Sequence, residues 1–306
     1  MSEHDEAVDA SEGKSSCASC GIAEVDDIKL VPCDNCDLVR YCSDDCKEDH
    51  RSEHDEACKK RAAELRDELL FKQPESSHFG ECPICSLPLP LDNRKSGMTA
   101  CCSKVVCFGC RYANNKQEEE MGHRQSCPFC RKHLPRTNEE HERLRMKRVA
   151  ANDPVALCRE GGKEYDEGDF NRAFEYWTKA AELGDADAHF KLSLLYHDGL
   201  GVEKDEEKEI RHLEEAAIGG HPAARYNRGC HEYRFGNVQR AVKHWIIAAT
   251  LGDDLSIKAL MEKFREGEVG KDVLAGALRA HKAAVDAMKS SQRREAEDFY
   301  QSIGVL

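Results

Sequence analysis

Fifteen of the seventeen cysteines lie between Cys17 and Cys130, most of them in closely spaced pairs, and only Cys158 and Cys230 lie beyond. This clustering constrains the fold more than any other feature. A Cys-x2-Cys pair turns both sulfurs toward one cation, and tetrahedral zinc accepts thiolates at about 2.3 Å. The stretch from Cys82 to Cys130 holds eight of them: Cys82, Cys85, Cys101, Cys102, Cys107, Cys110, Cys127 and Cys130. Eight thiolates suffice for two closed zinc sites.

A disulfide framework is the rival use of so many cysteines, and the chain's start argues against it. Met-Ser-Glu-His-Asp-Glu lacks the basic start and apolar run of a secretory signal, and no stretch of 18 apolar residues exists. A soluble, intracellular chain, cytoplasmic and/or nuclear, is expected, with no membrane partner. In a reducing compartment metal binding is the better account of the cysteines. The net charge of −13 argues against nucleic acid as a partner. The basic run Arg143-Leu-Arg-Met-Lys-Arg148 is the one dissenting stretch, and it reads as a solvated helical face or linker. With 34% charged and 40% apolar residues, small modules and exposed helices are expected instead of one thick core.

Residues 1–16 are acidic and serine-rich and read as a disordered lead-in. Then come Cys17-x2-Cys20, Cys33-x2-Cys36, Cys42-x3-Cys46 and His54-x3-Cys58. A spacing of four puts two ligands on one side of a helical turn. His50 is the rival ligand, but its spacing to Cys58 is too wide for one turn.

Residues 17–58, with Tyr41 directly before Cys42 and seven residues between Cys46 and His54, resemble the MYND zinc finger. That resemblance implies alternating pairs: Cys17, Cys20, Cys42 and Cys46 on one zinc, Cys33, Cys36, His54 and Cys58 on the other. Each metal then crosslinks two distant segments, replacing a core that so short a module cannot build. Family members that capture proline-rich peptides usually carry glutamine just after the sixth cysteine and tryptophan four residues on. Here those positions are Lys47 and Arg51, so a structural or general interaction role stands beside peptide capture.

Residues 59–78 form a linker, helical from Lys59 to Lys72, with Leu65, Leu69 and Phe71 near one side and Pro74 beyond its end. Residues 79–132 resemble a RING domain, nearest to the all-cysteine variety of the ubiquitin ligase subunit of the Ccr-Not complex. The pattern is Cys82-Pro-Ile-Cys85, fifteen residues, Cys101-Cys102, four residues, Cys107-Phe-Gly-Cys110, sixteen residues, Cys127-Pro-Phe-Cys130. Cross-bracing would place Cys82, Cys85, Cys107 and Cys110 on one zinc and Cys101, Cys102, Cys127 and Cys130 on the other. If only one of the adjacent pair ligates, His123 is the substitute; counting favours both, since fifteen cysteines and His54 make sixteen ligands for four zinc ions. The resemblance implies that Ile84 and Pro128 offer apolar contact to a ubiquitin-conjugating enzyme, and that Arg131 hydrogen-bonds both the enzyme and its ubiquitin. A guanidinium suits that task because its donors can bridge two carbonyls.

Residues 133–152 read as a charged connector, helical from Glu139 to Ala151, and Pro154 opens the next element. Over residues 153–288 a motif repeats. Thr178-Lys-Ala-Ala-Glu-Leu-Gly184, Glu214-Glu-Ala-Ala-Ile-Gly-Gly220 and Ile246-Ile-Ala-Ala-Thr-Leu-Gly252 align at intervals of 36 and 32 residues. Such periods mark stacked helical hairpins. Trp177, Leu213 and Trp245 take one slot, three residues before each alanine pair, and read as core, as does Tyr196. Gly184, Gly220 and Gly252 stand where a helix C-terminus needs a left-handed residue. With Gly199-Leu-Gly-Val ahead of Asp205, the pattern resembles the Sel-one-like subtype of tetratricopeptide repeat. A decayed fourth unit from Asp253 to Met288 and a capping helix from Arg293 to Tyr300, within a 289–306 tail, complete the expectation.

The expected fold is therefore multidomain: two small cross-braced zinc-finger modules followed by an all-α helical-repeat solenoid. The expected function is a RING-type ubiquitin ligase that positions a charged conjugating enzyme while the other modules hold a protein substrate. The alternative is a non-catalytic interaction scaffold. A metal-dependent hydrolase would need an open zinc position, which sixteen ligands for four ions do not leave.

Overall fold

The structure is a computed structural model that describes residues 16–25 and 27–304. The lead-in expected over residues 1–16 lies outside them, Ser16 excepted. The chain divides after Lys72 into two compact units.

In the first unit, β1 (Val31–Pro32) pairs antiparallel with β2 (Arg40–Tyr41), Val31 opposite Tyr41. So short a ribbon is not stable alone. Its buried cluster is Cys17, Leu30, Cys33, Cys36 and Tyr41. Three of those five are cysteines, so cohesion depends on what the sulfurs bind. The Ser43 side chain caps α1 (Asp44–Asp49) by accepting from the Cys46 amide, and Asp44 and Asp45 in the first turn favour the dipole. Cys42 precedes this cap, so of the pair expected on one helical turn only Cys46 is helical.

His50 joins α1 to α2 (Arg51–Leu70). That helix begins well before the expected Lys59, carries His54 and Cys58, and ends before Phe71. Ion pairs at helical spacing, Lys59–Asp55 and Arg61–Glu64, support it. No apolar stripe does, and Leu69 is exposed.

The second unit opens with the second cysteine module. β3 (Ser96–Met98) pairs antiparallel with β4 (Val105–Cys107), which runs directly into α3 (Phe108–Glu120). Cys82, Leu89, Val106, Cys107 and Cys110 form its buried cluster, flanked by Phe79 and Val105. Here too sulfur replaces much of the hydrocarbon of an ordinary core.

α4 (Asn138–Ala150) connects to the repeats. It contains the whole basic run, and the solvated face expected there forms only in part: Arg143 and Lys147 are exposed, whereas Arg145 and Arg148 turn inward. Arg145 is buried, ion-paired with Glu160 and Glu142. Arg148 pairs with Asp153 and donates from Nε to Ser103 Oγ at 3.1 Å. Anionic partners inside the unit account for these two charges.

Three helical hairpins follow: α5 (Pro154–Asp166) with α6 (Phe170–Glu182), α7 (Ala186–Asp198) with α8 (Glu206–Ile218), and α9 (Pro222–Arg234) with α10 (Val238–Thr250). Asp153, Asp169, Asp185, Asp205 and His221 each cap a helix by accepting a backbone amide proton. Gly184, Gly220 and Gly252 adopt φ of +85°, +80° and +94°, the left-handed conformation expected of them.

Trp177 and Trp245 are buried, and each indole N–H donates to a carbonyl nineteen residues earlier: Cys158 O at 2.9 Å and Tyr226 O at 3.3 Å. The helices can approach because Gly161 and Gly229 lie under the indoles. A Cβ at either glycine would come within 2.5 and 2.6 Å of the ring. α11 (Asp254–Arg265) and α12 (Lys271–Ala287) form the fourth unit.

The last helix, α13 (Ser291–Ser302), departs from the expected role of capping the repeats. It packs chiefly along α3 of the second cysteine module. Phe299 meets Tyr112 with ring centroids 4.9 Å apart, Tyr300 meets Phe108 at 5.1 Å, and Lys116 pairs with Glu295 at 2.8 Å.

Candidate metal centres

One backbone turn recurs at the cysteine knuckles. The amide of the residue after the second cysteine donates to the carbonyl of the first: Gly21 to Cys17 at 2.9 Å, Asp37 to Cys33 at 3.1 Å, Ser86 to Cys82 at 2.9 Å and Arg131 to Cys127 at 2.9 Å. All four donors are left-handed, with φ of 74°, 53°, 53° and 60°. The turn leaves both sulfurs on one side with amide protons pointing toward them. Cys107 and Cys110 reach the same result differently, as the N-cap and first turn of α3.

The turn occurs once more without a leading cysteine. Ser103 N–H donates to Thr99 O at 2.8 Å, Ser103 is left-handed, and the Thr99 hydroxyl lies 3.1 Å from Cys102 Sγ. Thr99 thus stands where a knuckle's first cysteine would. Cys101 and Cys102 then fall on the inside of the bend, which is how two neighbouring residues turn toward one point. The sequence carries this signal only as Thr-x2-Cys, which spacing rules for metal ligands pass over.

Four groups of four result: Cys17, Cys20, Cys42 and Cys46; Cys33, Cys36, His54 and Cys58; Cys82, Cys85, Cys107 and Cys110; Cys101, Cys102, Cys127 and Cys130. Within each, the ligand atoms lie within 4.8 Å of one another. Tetrahedral thiolates at zinc distance sit about 3.8 Å apart, whereas a disulfide needs about 2.05 Å. The sulfurs are 3.6 Å apart in Cys20–Cys42 and Cys42–Cys46, 3.7 Å in Cys33–Cys58, 3.9 Å in Cys85–Cys107 and Cys102–Cys127, and 3.3 Å in Cys101–Cys130. Cys36 Sγ and His54 Nε2 are 3.2 Å apart. These donor sets fit zinc in closed structural sites.

Electrostatics within the groups points the same way. The Cys107 thiol, hydrogen-bonded to Cys82, holds Cys82 down to about 4 and is itself pushed up. Crowded thiols therefore ionise unequally unless a cation is shared. Burial keeps His54 below its usual value, neutral and able to ligate.

Neither alternative ligand joins a group. His50 bonds through Nδ1 to the Tyr41 hydroxyl at 3.1 Å and stacks beside His54. His123 is exposed on the loop after α3. Lys47 pairs with Asp34 and Arg51 with Glu48, beside a groove of about 390 Å³ lined by Tyr41, Asp44 and Asp55. The groove is charged where an indole wall would be needed for proline.

Of the residues expected to meet a conjugating enzyme, Ile84 is 44% exposed and Arg131 is exposed with Nη1 donating to Asn114 Oδ1 at 2.9 Å. Pro128 is buried and cannot offer surface. The equivalent of Ile84 in the second knuckle, third in Cys-Pro-x-Cys, is Phe129, 42% exposed. Sequence reasoning missed it by matching residue type when position within the knuckle decides exposure.

A fifth convergence, also missed, lies at His78, Asp187 and His221. The two imidazoles stack with centroids 4.0 Å apart and planes 20° apart. Their in-plane lone pairs therefore do not converge on a point. His221 Nδ1 accepts from the Ala224 amide at 3.2 Å, leaving Nε2–H for Asp187 Oδ1 at 3.4 Å. The arrangement is an imidazole stack in which His221 is hydrogen-bonded and the His78 ring is held by stacking alone; it pins the start of the second unit, where the backbone amide of His78 donates to Gly220 O at 3.0 Å.

Burial, aided by His221, pushes His78 down to about 3. An unfolded histidine titrates near 6.5, so between those values the unfolded chain binds the proton first. The stack's contribution is full above about pH 6.5 and is lost as pH falls toward 3. Melting temperature should accordingly drop more steeply between pH 6.5 and 5 in the native chain than in His78→Phe. Parallel slopes would contradict this.

Residues 17–58 match the MYND finger, and residues 155–185, 186–221 and 222–253 each match the Sel1 repeat. The chain thus carries a MYND finger and three Sel1 repeats, a zinc-finger region followed by a helical-repeat solenoid. Curated relatives include the putative beta-lactamase HcpC of Helicobacter pylori strain J99, 42% identical over 60 residues, which are 20% of this chain and 21% of that protein. The same protein of strain 26695 is 43% identical over 56 residues, 18% and 19% of the two chains. The match spans about a fifth of the length of these relatives. Among solved structures, a Sel1 repeat protein from Oxalobacter formigenes aligns with a TM-score of 0.43 at 23% identity, covering 63% of this chain and 86% of the other. The protective antigen c5321 of uropathogenic Escherichia coli aligns with a TM-score of 0.38 at 21% identity, covering 63% and 40%.

Proposed function

We propose that this protein is a recruiting ubiquitin ligase of RING type that holds four zinc ions and works inside the cell. The observation that carries this reading is the matched pair of knuckle tips. Ile84 and Phe129 occupy equivalent positions in two knuckles whose ligand groups interleave around α3, both are exposed, and exposed Arg131 follows the second. Two apolar tips beside a guanidinium suit a partner that offers an apolar surface and carbonyl acceptors.

The transferred group would travel as the partner's thioester. This chain would supply position and no nucleophile, so its effect is one of orientation. The Sel1 repeats, a protein-interaction architecture, and the charged groove of the MYND finger would hold the protein substrate. The name of the Helicobacter relatives brings no activity with it, given the fifth of their length that is shared.

A discharge assay with thioester-charged conjugating enzymes tests the proposal. Ile84→Ala, Phe129→Ala and Arg131→Ala are each expected to slow discharge by tenfold or more at unchanged zinc content. Absence of discharge with every member of a broad panel would sink the reading. The remaining interpretation would be a non-catalytic adaptor, favoured by one observation: the Arg131 guanidinium is already engaged by Asn114.

A further inference from the structure

Arg293 enters the second cysteine module from the far end of the chain. Its Nη1 donates to Pro88 O at 2.7 Å and Met288 O at 2.6 Å, and its Nη2 to Leu87 O at 3.2 Å and Cys85 Sγ at 3.5 Å. The side chain is buried, 6% exposed. Gly109, between ligands Cys107 and Cys110, makes room for it: a Cβ there would lie 2.9 Å from Arg293 Cγ and 3.0 Å from its Cα. The aromatic pairs and the Lys116–Glu295 bridge hold α13 in place on α3, and Lys95–Glu297 at 2.8 Å adds a second bridge.

Three carbonyls and Cys85 Sγ take four of the guanidinium's five protons, the buried Nε–H finds no partner, and none of the carbonyls cancels the charge. A buried cation needs an anion nearby, and a zinc held by four thiolates supplies one, with a formal charge of minus two. A hydrogen bond from a cation to a ligating sulfur draws off electron density and orients the ligand, the usual work of groups just outside a metal's own ligands.

The structure assigns Arg293 as a positioning residue for the metal group of Cys82, Cys85, Cys107 and Cys110, holding Cys85 and the Leu87–Pro88 segment that returns from the Ile84 knuckle. It makes the C-terminal helix part of this zinc module, although all the repeats intervene in sequence. Because Met288 ends α12, one guanidinium also ties the end of the repeat stack to the knuckle that presents Ile84. The inference rests on zinc binding by this group and is independent of ligase activity.

The test follows zinc release from the full-length protein into excess chromophoric chelator, comparing the native chain with Arg293→Met and Arg293→Lys. Arg293→Met is expected to release one zinc of four roughly tenfold to a hundredfold faster, the other three at the native rate. Arg293→Lys keeps the charge and the stem but not the fork, and should fall between. In cobalt-substituted protein, Arg293→Met should also shift the thiolate-to-cobalt charge-transfer band. Unchanged release of all four ions would overturn the assignment, as would equal acceleration of all four, the signature of general loosening. Since no step involves ubiquitin, a protein without ligase activity would still show the predicted pattern.

Discussion

Stripping zinc with a chelator is expected to unfold residues 17–58 and 82–130 while the repeat helices stay folded. Each cysteine module has a buried cluster of five residues, three of them cysteines. Their strands are two or three residues long, too short to persist unaided. Structural zinc contributes on the order of 10–16 kcal/mol per site at neutral pH, more than a whole domain's usual net stability of about 5–15 kcal/mol. The repeats have cores of their own, one around Trp177, Leu192 and Leu195 and another around Trp245, Ile257 and Leu260. Amide exchange should therefore become fast across both modules and across α13, which loses its dock on α3, and stay slow in α5 to α10. Most of the helical circular dichroism should remain, and added zinc should restore protection. Persistent protection of residues 82–130 without metal would contradict this account.

The second large effect belongs to the repeats. Trp245→Ala is expected to destabilise them by about 3–5 kcal/mol, the usual cost of emptying a large buried aromatic site. Trp245 is 2% exposed, lies over Gly229 and Tyr233, and donates to Tyr226 O. Its removal opens a cavity and takes from Tyr226 O its second donor, leaving the indole-side lone pair buried beside the helical bond of α9. For a unit of this size the melting temperature should fall by roughly 6–20 °C, with bound zinc unchanged because the metal groups lie elsewhere. A fall of under 2 °C would show that the indole is not what joins α9 to α10.

The parts legible in the sequence are those whose signal is local and repeated. Paired ligands and the Ala-Ala-x-x-Gly spacing each need only a short window, so the MYND finger, the Sel1 repeats and the slot of Trp177 and Trp245 could be read directly. What sequence reading lost depends on contacts distant in sequence. Phe299 and Tyr300 carry the docking of α13 onto α3, but from the sequence they read as a cap on the nearest helices. Gly161 and Gly229 look like weak points within helices until the indole above each is seen. Arg145 looks solvated until Glu160 is placed beside it. Burial of Pro128, with Phe129 exposed in its place, follows from the orientation of the knuckle, which ligand spacing does not encode.

Central to the account is the sharing of sixteen ligands among four closed groups, two in each cysteine module. Native mass spectrometry of the full-length protein tests it most directly, read beside Cys36→Ser and Cys102→Ser. Four zinc ions are expected in the native chain and three in each variant. Two ions in the native chain, or four retained in Cys102→Ser, would contradict this sharing.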